Sequence, residues 1–188
     1  MKLREHDTAQ LLIDLQKGFD EEEYWGGNRN NKDAEKKAVQ ILGLWRQLNL
    51  PIFHIIHSSQ NPVSRLHKSH PGFEIKDEVK PLEGESLIIK DVNSAFIGTD
   101  LKERLENKGI HKLVILGLTT NHCVSTTTRM AGNYGFDVLL ISDATATFDR
   151  IGINGEKFPS EIIHQTTLAS LNEEFAKVIP TEELLELV

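Results

Sequence analysis

"LVILGLTTNHCVSTTTRMAGNYGF", residues 113–136, joins an apolar run to a polar turn that carries the only cysteine of the chain, Cys123. The near-continuous apolar residues of "KLVILGL" (112–118) predict a strand that is buried on both faces, as in parallel sheets. The segment "NHCVSTTTRMAGNYG" (121–135) predicts a helix that ends near Gly135. A strand followed directly by a helix is half of a βαβ unit, so this stretch predicts an α/β fold.

The rest of the chain repeats this alternation of apolar runs and helical segments. Five further runs predict strands: "AQLLIDL" (9–15), "PIFHIIH" (51–57), "SLIIK" (86–90), "DVLLIS" (137–142) and "AKVI" (176–179). Three further segments predict helices: 33–49, 99–109 and 160–175. Because no linker or repeat interrupts this order, we expect a single domain, residues 1–188, with a mainly parallel sheet covered by helices.

Composition narrows the class of protein. The chain has 39% hydrophobic residues, one cysteine and a formal net charge of −7. Without a run of about 18 apolar residues we expect no membrane partner, and the scattered basic residues argue against a nucleic-acid partner. A single cysteine cannot form an intramolecular disulfide and the first residues lack an export signal, so we expect a cytoplasmic location.

Reactive side chains follow several predicted strands, where open α/β sheets place their ligand sites. Asp14 lies near the end of the first strand, Lys90 ends the third and Cys123 follows the fourth. A helix N-terminus and a nearby cation would lower the pKa of Cys123 and make it a nucleophile. Asp14 would take the thiol proton, and Lys90 would orient that carboxylate. Spacing alone leaves three alternatives: a buried structural cysteine, a turn-capping aspartate and a solvated lysine.

Three separated motifs resemble the isochorismatase-like cysteine hydrolases, which include nicotinamidases and N-carbamoyl amide hydrolases. They are "LLIDLQKGF" (11–19), "IIKDVNSAFIGTDL" (88–101) and "ILGLTTNHCVSTTTRMAGNYGFDVLLISDATATF" (115–148). The resemblance implies a three-layer α/β/α fold with a mainly parallel six-stranded sheet of order 3-2-1-4-5-6. It also implies the catalytic triad Asp14, Lys90 and Cys123, and a cis peptide between Leu118 and Thr119. The backbone N–H groups of Thr119 and Cys123 would then form an oxyanion hole.

The activity implied by the resemblance is cleavage of an amide-type bond through a thioester on Cys123. The substrate would be a small amide, lactam, carbamoyl or imide compound, and the family implies a homo-oligomer. Nicotinamidase or isochorismatase-type activity is an alternative within the family. A redox or electrophile sensor built on Cys123 and a binding module without turnover are alternatives of other classes.

No metal or cofactor is expected. Nicotinamidases carry an Asp-x-His metal motif after the second strand, and here Ile55 stands two residues before His57. His54 and His57 are three residues apart on a strand and should point to opposite faces, whereas His67 and His70 fall in a loop. These histidines do not form a complete ligand set at a recognised spacing.

The predicted loops 16–30 and 58–85 are long, and long loops in compact domains usually border functional sites. We predict six substrate-binding residues near the strand ends: Phe19, Trp25, His57, Phe96, Asn121 and His122. Core packing is the alternative for Phe19 and Phe96, a subunit contact for Trp25, and a structural hydrogen bond for His57. Capping of the following helix is the alternative for Asn121.

Overall fold

A computed structural model describes residues 7–188, so residues 1–6 of the predicted domain lie outside the described part. Its main sheet has six parallel strands in the order β3-β2-β1-β4-β5-β8. The strands are β1 Thr8–Ile13, β2 Ile52–His57, β3 Ser86–Lys90, β4 Lys112–Leu118, β5 Asp137–Ala146 and β8 Lys177–Ile179. The predicted sheet order is therefore confirmed, with β8 as the sixth predicted strand.

Six helices accompany the sheet: α1 Glu22–Trp25, α2 Ala34–Gln47, α3 Leu101–Asn107, α4 Ser125–Asn133, α5 Ser160–Leu171 and α6 Thr181–Leu187. A small antiparallel hairpin pairs β6 Arg150–Ile151 with β7 Lys157–Phe158. The sequence did not predict α1, α6 or this hairpin. Within residues 7–188, no helix is long and apolar enough to cross a membrane.

The core has two apolar layers because successive strand residues point to opposite faces of the sheet. In β4, Val114 and Leu116 pack on one face, and Leu113 and Ile115 pack on the other. Helices α2 and α6 cover the first face, whereas α3, α4 and α5 cover the second. Full burial of each such aliphatic side chain stabilises the fold by about 1.5–3 kcal/mol. The three-layer α/β/α prediction is thus confirmed.

Gly117, near the end of β4, allows that strand to approach the end of β1 closely. The register between β4 and β5 shifts between Ile115 and Gly117, and Gly117 has a φ of 122°. A Cβ atom at Gly117 would lie 2.0 Å from the carbonyl oxygen of Ile13, so only glycine fits beside the end of β1. The peptide bond between Leu118 and Thr119 that follows is cis, as the resemblance implied.

Candidate active site

Asp14 stands directly after β1 in an unusual backbone conformation. Its φ is 51°, in the left-handed region that aspartate tolerates better than most residues, and its N–H donates to the carbonyl of Ile55 at 2.8 Å. The side chain is fully buried, and Oδ2 accepts a hydrogen bond from Lys90 Nζ at 2.8 Å. The other oxygen, Oδ1, has no hydrogen-bond partner among residues 7–188. A buried carboxylate therefore keeps one acceptor available.

Lys90 reaches this carboxylate from the edge of the sheet. It ends β3, and its side chain crosses the end of β2 to reach Asp14 beside β1. Both side chains of the ion pair are 0% exposed. Burial opposes the charge, but the negative charge of Asp14 raises the pKa of Lys90 overall. The ammonium is thus a fixed positive charge that is buried from solvent together with its counter-ion.

Cys123 lies in a wide π-helical turn, Thr120–Val124, between β4 and α4. The cysteine is 8% exposed, and one ligand-type atom from each of Asp14, His57 and Cys123 lies within 4.8 Å of the others. The thiol also donates to Asn93 Oδ1 at 3.7 Å. The predicted acid, amine and thiol therefore lie close together at the carboxyl ends of the strands, as the strand-end rule predicts.

The expectation of a lowered thiol pKa is wrong. Burial, followed by the negative charge of Asp14, raises the pKa of Cys123, and the opposing effect of Lys90 does not compensate. In addition, α4 begins at Ser125, so the cysteine precedes the first turn of that helix. The resting sulfur is therefore a neutral thiol beside a carboxylate. This also disfavours a sensor, because oxidation requires an exposed thiolate.

A pocket of about 190 Å³ opens beside the sulfur. It is lined by Phe19, Trp25, His57, Ser59, Ser64, Leu66, Asn93, Thr119, His122 and Cys123. Four of the six predicted substrate-binding residues are in this set. His122 is exposed, and partial burial and then the charge of Arg150 lower its pKa.

The structure places the other two predicted binding residues away from the pocket lining. Phe96 packs with Tyr134 and Phe136, with ring centroids 5.4 and 6.1 Å apart, in the apolar layer that α3, α4 and α5 cover. Asn121 Oδ1 accepts a hydrogen bond from Thr147 Oγ1 at 2.5 Å, which ties the nucleophile turn to the segment after β5. Both side chains are adjacent to the site in sequence but are used for packing and bonding.

Sequence reasoning missed four lining residues: Ser59, Ser64, Leu66 and Asn93. The first three belong to loop 58–85, which was predicted to border the site without any residue being singled out. Asn93 lies inside the second quoted motif, three residues after Lys90. Its position in that motif was the available signal, because a residue just past a strand end can face the same pocket.

The two long loops are locked against each other. Gln16 is buried, and its Nε2 donates to the carbonyls of His57 at 3.1 Å and Phe73 at 2.9 Å. A Cβ at Gly72 would lie 2.6 Å from Gly18 Cα, so the backbones touch there. Phe19 packs on Trp25 at 4.6 Å between ring centroids. The aromatic wall of the pocket is therefore held by the fold of both loops.

The residues present do not suit a metal ion. Asp14, His57 and Cys123 could offer ligand atoms, but the Lys90 ammonium already bonds Asp14 Oδ2 and lies 3.1 Å from His57 Nδ1. A cation would have to displace that charge. The histidines of interest elsewhere have other partners: His54 bonds Glu85, His67 bonds Ser69, and His70 accepts from the Gly72 N–H.

Comparisons of the sequence and of the structure with known proteins point to the same family. A family model described as the isochorismatase domain matches residues 8–183. An uncharacterized isochorismatase family protein of Bacillus subtilis (strain 168), YrdC, is 46% identical over 181 residues, covering 96% of each chain. A putative hydrolase of the isochorismatase family from Chromobacterium violaceum superposes with a TM-score of 0.94 at 37% identity, covering 100% and 96%. Nicotinamidase 3 of Arabidopsis thaliana is 28% identical, covering 94% and 86%.

Proposed function

Because the chain belongs to the isochorismatase family of hydrolases, we propose that it is a metal-independent cysteine hydrolase of small amide-type compounds. The bond cleaved is the C–N bond of an amide, lactam, carbamoyl or imide group. The observation that carries this proposal is the buried Asp14 carboxylate, which is bonded to Lys90 through one oxygen, has an unpartnered second oxygen, and has an oxygen within 4.8 Å of the Cys123 sulfur.

In the first half of the reaction, Asp14 Oδ1 takes the proton from Cys123 while the sulfur attacks the substrate carbonyl carbon. The carbonyl oxygen becomes an oxyanion, which the backbone N–H groups of Thr119 and Cys123 stabilise. Asp14 then gives the proton to the leaving nitrogen, and the C–N bond breaks. For an open-chain amide the products are a free amine or ammonia and a thioester on Cys123, whereas the nitrogen of a lactam or cyclic imide stays attached to the acyl group of that thioester.

In the second half, Asp14 takes a proton from water, and the resulting hydroxide attacks the thioester carbonyl. The C–S bond breaks, and the proton on Asp14 returns to the sulfur. The acid product leaves and the neutral thiol is restored. Each half-reaction uses the same carboxylate first as a base and then as an acid.

The electrostatics of the site support this cycle. Lys90 carries one positive charge, and Asp14 and Cys123 together hold one proton and one negative charge. When the proton moves from sulfur to carboxylate, the net charge of the buried cluster stays the same. A high thiol pKa is therefore compatible with catalysis, because the thiolate forms only as the proton reaches Asp14 during attack.

The pocket supports a small substrate. Its volume of about 190 Å³ lies below the range of drug-sized ligand pockets, and Phe19 and Trp25 supply apolar faces. Ser59, Ser64 and Asn93 supply polar groups for orientation. The name of one relative, Nicotinamidase 3, denotes an enzyme of an aromatic amide, which is in keeping with this class of substrate.

Homo-oligomerisation in the cytoplasm, without nucleic-acid or membrane partners, is part of the same proposal. The edge strand β3 exposes Leu87 and Ile89, which offers an apolar surface to a second copy. Light scattering coupled to size-exclusion chromatography measures the assembly directly. A monomer at micromolar concentration would contradict this part without affecting the chemistry.

A panel of small amides, lactams, carbamoyl compounds and imides tests the activity. Release of ammonia or amine is measured for open-chain substrates, and the ring-opened acid is measured for lactams and cyclic imides. Cys123→Ala should abolish turnover, by at least about 10³-fold, because the nucleophile is lost. Its thermal unfolding should match that of the native protein, since a small buried side chain is replaced by another.

Dialysis against a chelator should leave activity unchanged, and mass spectrometry should detect an acylated Cys123. A Cys123→Ala variant that kept most of its activity would contradict the proposal.

A further inference from the structure

His57 bonds the same buried lysine head group as the Asp14 carboxylate. It ends β2 and is the direct register partner of Lys90 on β3. His57 Nδ1 lies 3.1 Å from Lys90 Nζ, and the same ammonium donates to Asp14 Oδ2 at 2.8 Å. The lysine head group is thus held between an imidazole and a carboxylate.

The partner determines the tautomer of His57. A protonated ammonium has donors and no acceptor, so His57 Nδ1 must carry the lone pair and Nε2 must carry the hydrogen. Nε2–H is then the ring group that can donate to the backbone of Val92. Burial, followed by the charge of Lys90, lowers the pKa of His57 and keeps the ring neutral. The two ring nitrogens consequently have opposite roles, with Nδ1 as the acceptor and Nε2 as the donor.

The backbone of His57 is fixed as firmly as its ring. The His57 N–H donates to Gln16 Oε1 at 2.8 Å, and the His57 carbonyl accepts from Gln16 Nε2 at 3.1 Å. Gln16 itself is fully buried between the two long loops. An acceptor whose backbone and ring are both anchored can hold a flexible lysine head group in one place.

We propose that His57 is a positioning residue: its neutral Nδ1 holds the Lys90 ammonium against Asp14 Oδ2, which leaves Asp14 Oδ1 available for the Cys123 proton. Without this acceptor, one N–H of a buried ammonium has no partner, and the head group moves to find one. The inference rests on the proposed function, because it assigns His57 to the same proton-transfer cycle. It gives His57 a role through Lys90 and not through the substrate.

Two substitutions of His57 distinguish the loss of its hydrogen-bond acceptor from the loss of its side-chain volume. His57→Asn keeps an oxygen acceptor on the same Cγ atom that carries Nδ1, whereas His57→Leu fills the space without an acceptor. We expect His57→Leu to lower kcat by about 10- to 100-fold with little change in KM, since a displaced catalytic group slows chemistry more than binding. His57→Asn should recover most of kcat. His67→Leu is the matched control, because His67 bonds only Ser69 within its own loop among residues 7–188 and does not line the pocket.

Alkylation of Cys123 by iodoacetamide at pH 9 gives a second readout that requires no hydrolysis. Lys90 opposes the rise in the thiol pKa, so loss of its position should slow labelling in His57→Leu and not in His57→Asn or His67→Leu. If the native protein hydrolyses no compound in the panel, the labelling rates alone decide on His57. The two proposals therefore fail separately.

Three results would overturn the role of His57. The first is a folded His57→Leu variant with kcat within about threefold of the native enzyme. The second is a loss that appears only in KM, which would make His57 a substrate contact. The third is a His57→Asn variant no better than His57→Leu. If His57→Leu does not fold, His57→Gln replaces it, because its acceptor stands one bond farther from the backbone and should restore less than His57→Asn.

Discussion

Two clusters of buried charge differ in how completely they are bonded. Where the two long loops meet α2, Arg29 donates to both carboxylate oxygens of Glu35 at 2.8 and 2.5 Å, and Lys76 lies 3.1 Å from the same group. At the carboxyl ends of the strands, Asp14 bonds Lys90 through one oxygen only. A saturated carboxylate can do no more than hold the fold together. An unsaturated carboxylate next to a thiol has a site for a proton, and this separates a structural cluster from a chemical one.

Replacing the unsaturated carboxylate should have the largest effect. Asp14→Asn keeps the shape but removes the proton acceptor, so kcat should fall by about 10³-fold or more. The same change leaves the buried Lys90 without a counter-charge, so the free energy of unfolding should fall by about 3 kcal/mol. Amine-release assays and urea unfolding measure the two losses. Turnover above a tenth of the native rate would mean that another group accepts the thiol proton.

The saturated cluster should respond to substitution in stability alone. Glu35→Gln removes the counter-charge of Arg29 and Lys76, and we expect the free energy of unfolding to fall by about 2 kcal/mol. Because Glu35 does not line the pocket, kcat/KM of the folded enzyme should stay within about twofold of the native value. A large loss of kcat/KM in folded Glu35→Gln would show that the two clusters are coupled.

The pH dependence of the free energy of unfolding gives a second test of the structural role of Glu35. Burial alone would raise the pKa of Glu35, but the hydrogen bonds and charges of Arg29, and then Lys76, lower it overall. A carboxyl with a lowered pKa in the folded state contributes stability above its ordinary value of 4.5, and this contribution is lost as pH falls below that value. The difference in stability between native protein and Glu35→Gln should therefore shrink in acid.

The strand ends were predictable because each depends on a local run of residues. Apolar stretches located β1, β3 and β4, and the strand-end rule then selected Asp14, Lys90 and Cys123. The end of β5 was not predictable in this way. The register shift at Gly117 pairs Gly117 with Thr145 and Leu118 with Ala146, which extends β5 beyond its apolar run.

Other features depend on contacts between segments that are far apart in the chain. The raised thiol pKa comes from burial and from Asp14, which is more than a hundred residues away in sequence. The sequence of helix α6, "TEELLEL", is rich in glutamate and suggests a solvent-exposed segment, yet Leu184 is buried in the core. The pocket wall from Ser59 to Leu66 is shaped by its packing on loop 16–30, which a single sequence does not encode locally.

We expect the smallest effect from a substitution in the aromatic wall of the pocket, which Phe19 and Trp25 form. Trp25 Nε1 donates to the carbonyl of Gly18 at 2.8 Å, and its ring packs on Phe19. Trp25→Phe keeps an aromatic ring but removes that hydrogen bond, worth about 1 kcal/mol, so KM should rise severalfold while kcat is unchanged.

Tyr24→Phe is the matched control for this change, because Tyr24 is exposed and does not line the pocket. Steady-state kinetics of both variants on the best amide of the panel measure the difference. An equal rise of KM in Tyr24→Phe would indicate a general loosening of the loop. A fall in kcat for Trp25→Phe alone would mean that Trp25 helps to place the substrate carbonyl at Cys123. Residues of the long loops would then contribute to the chemical step and not only to substrate binding.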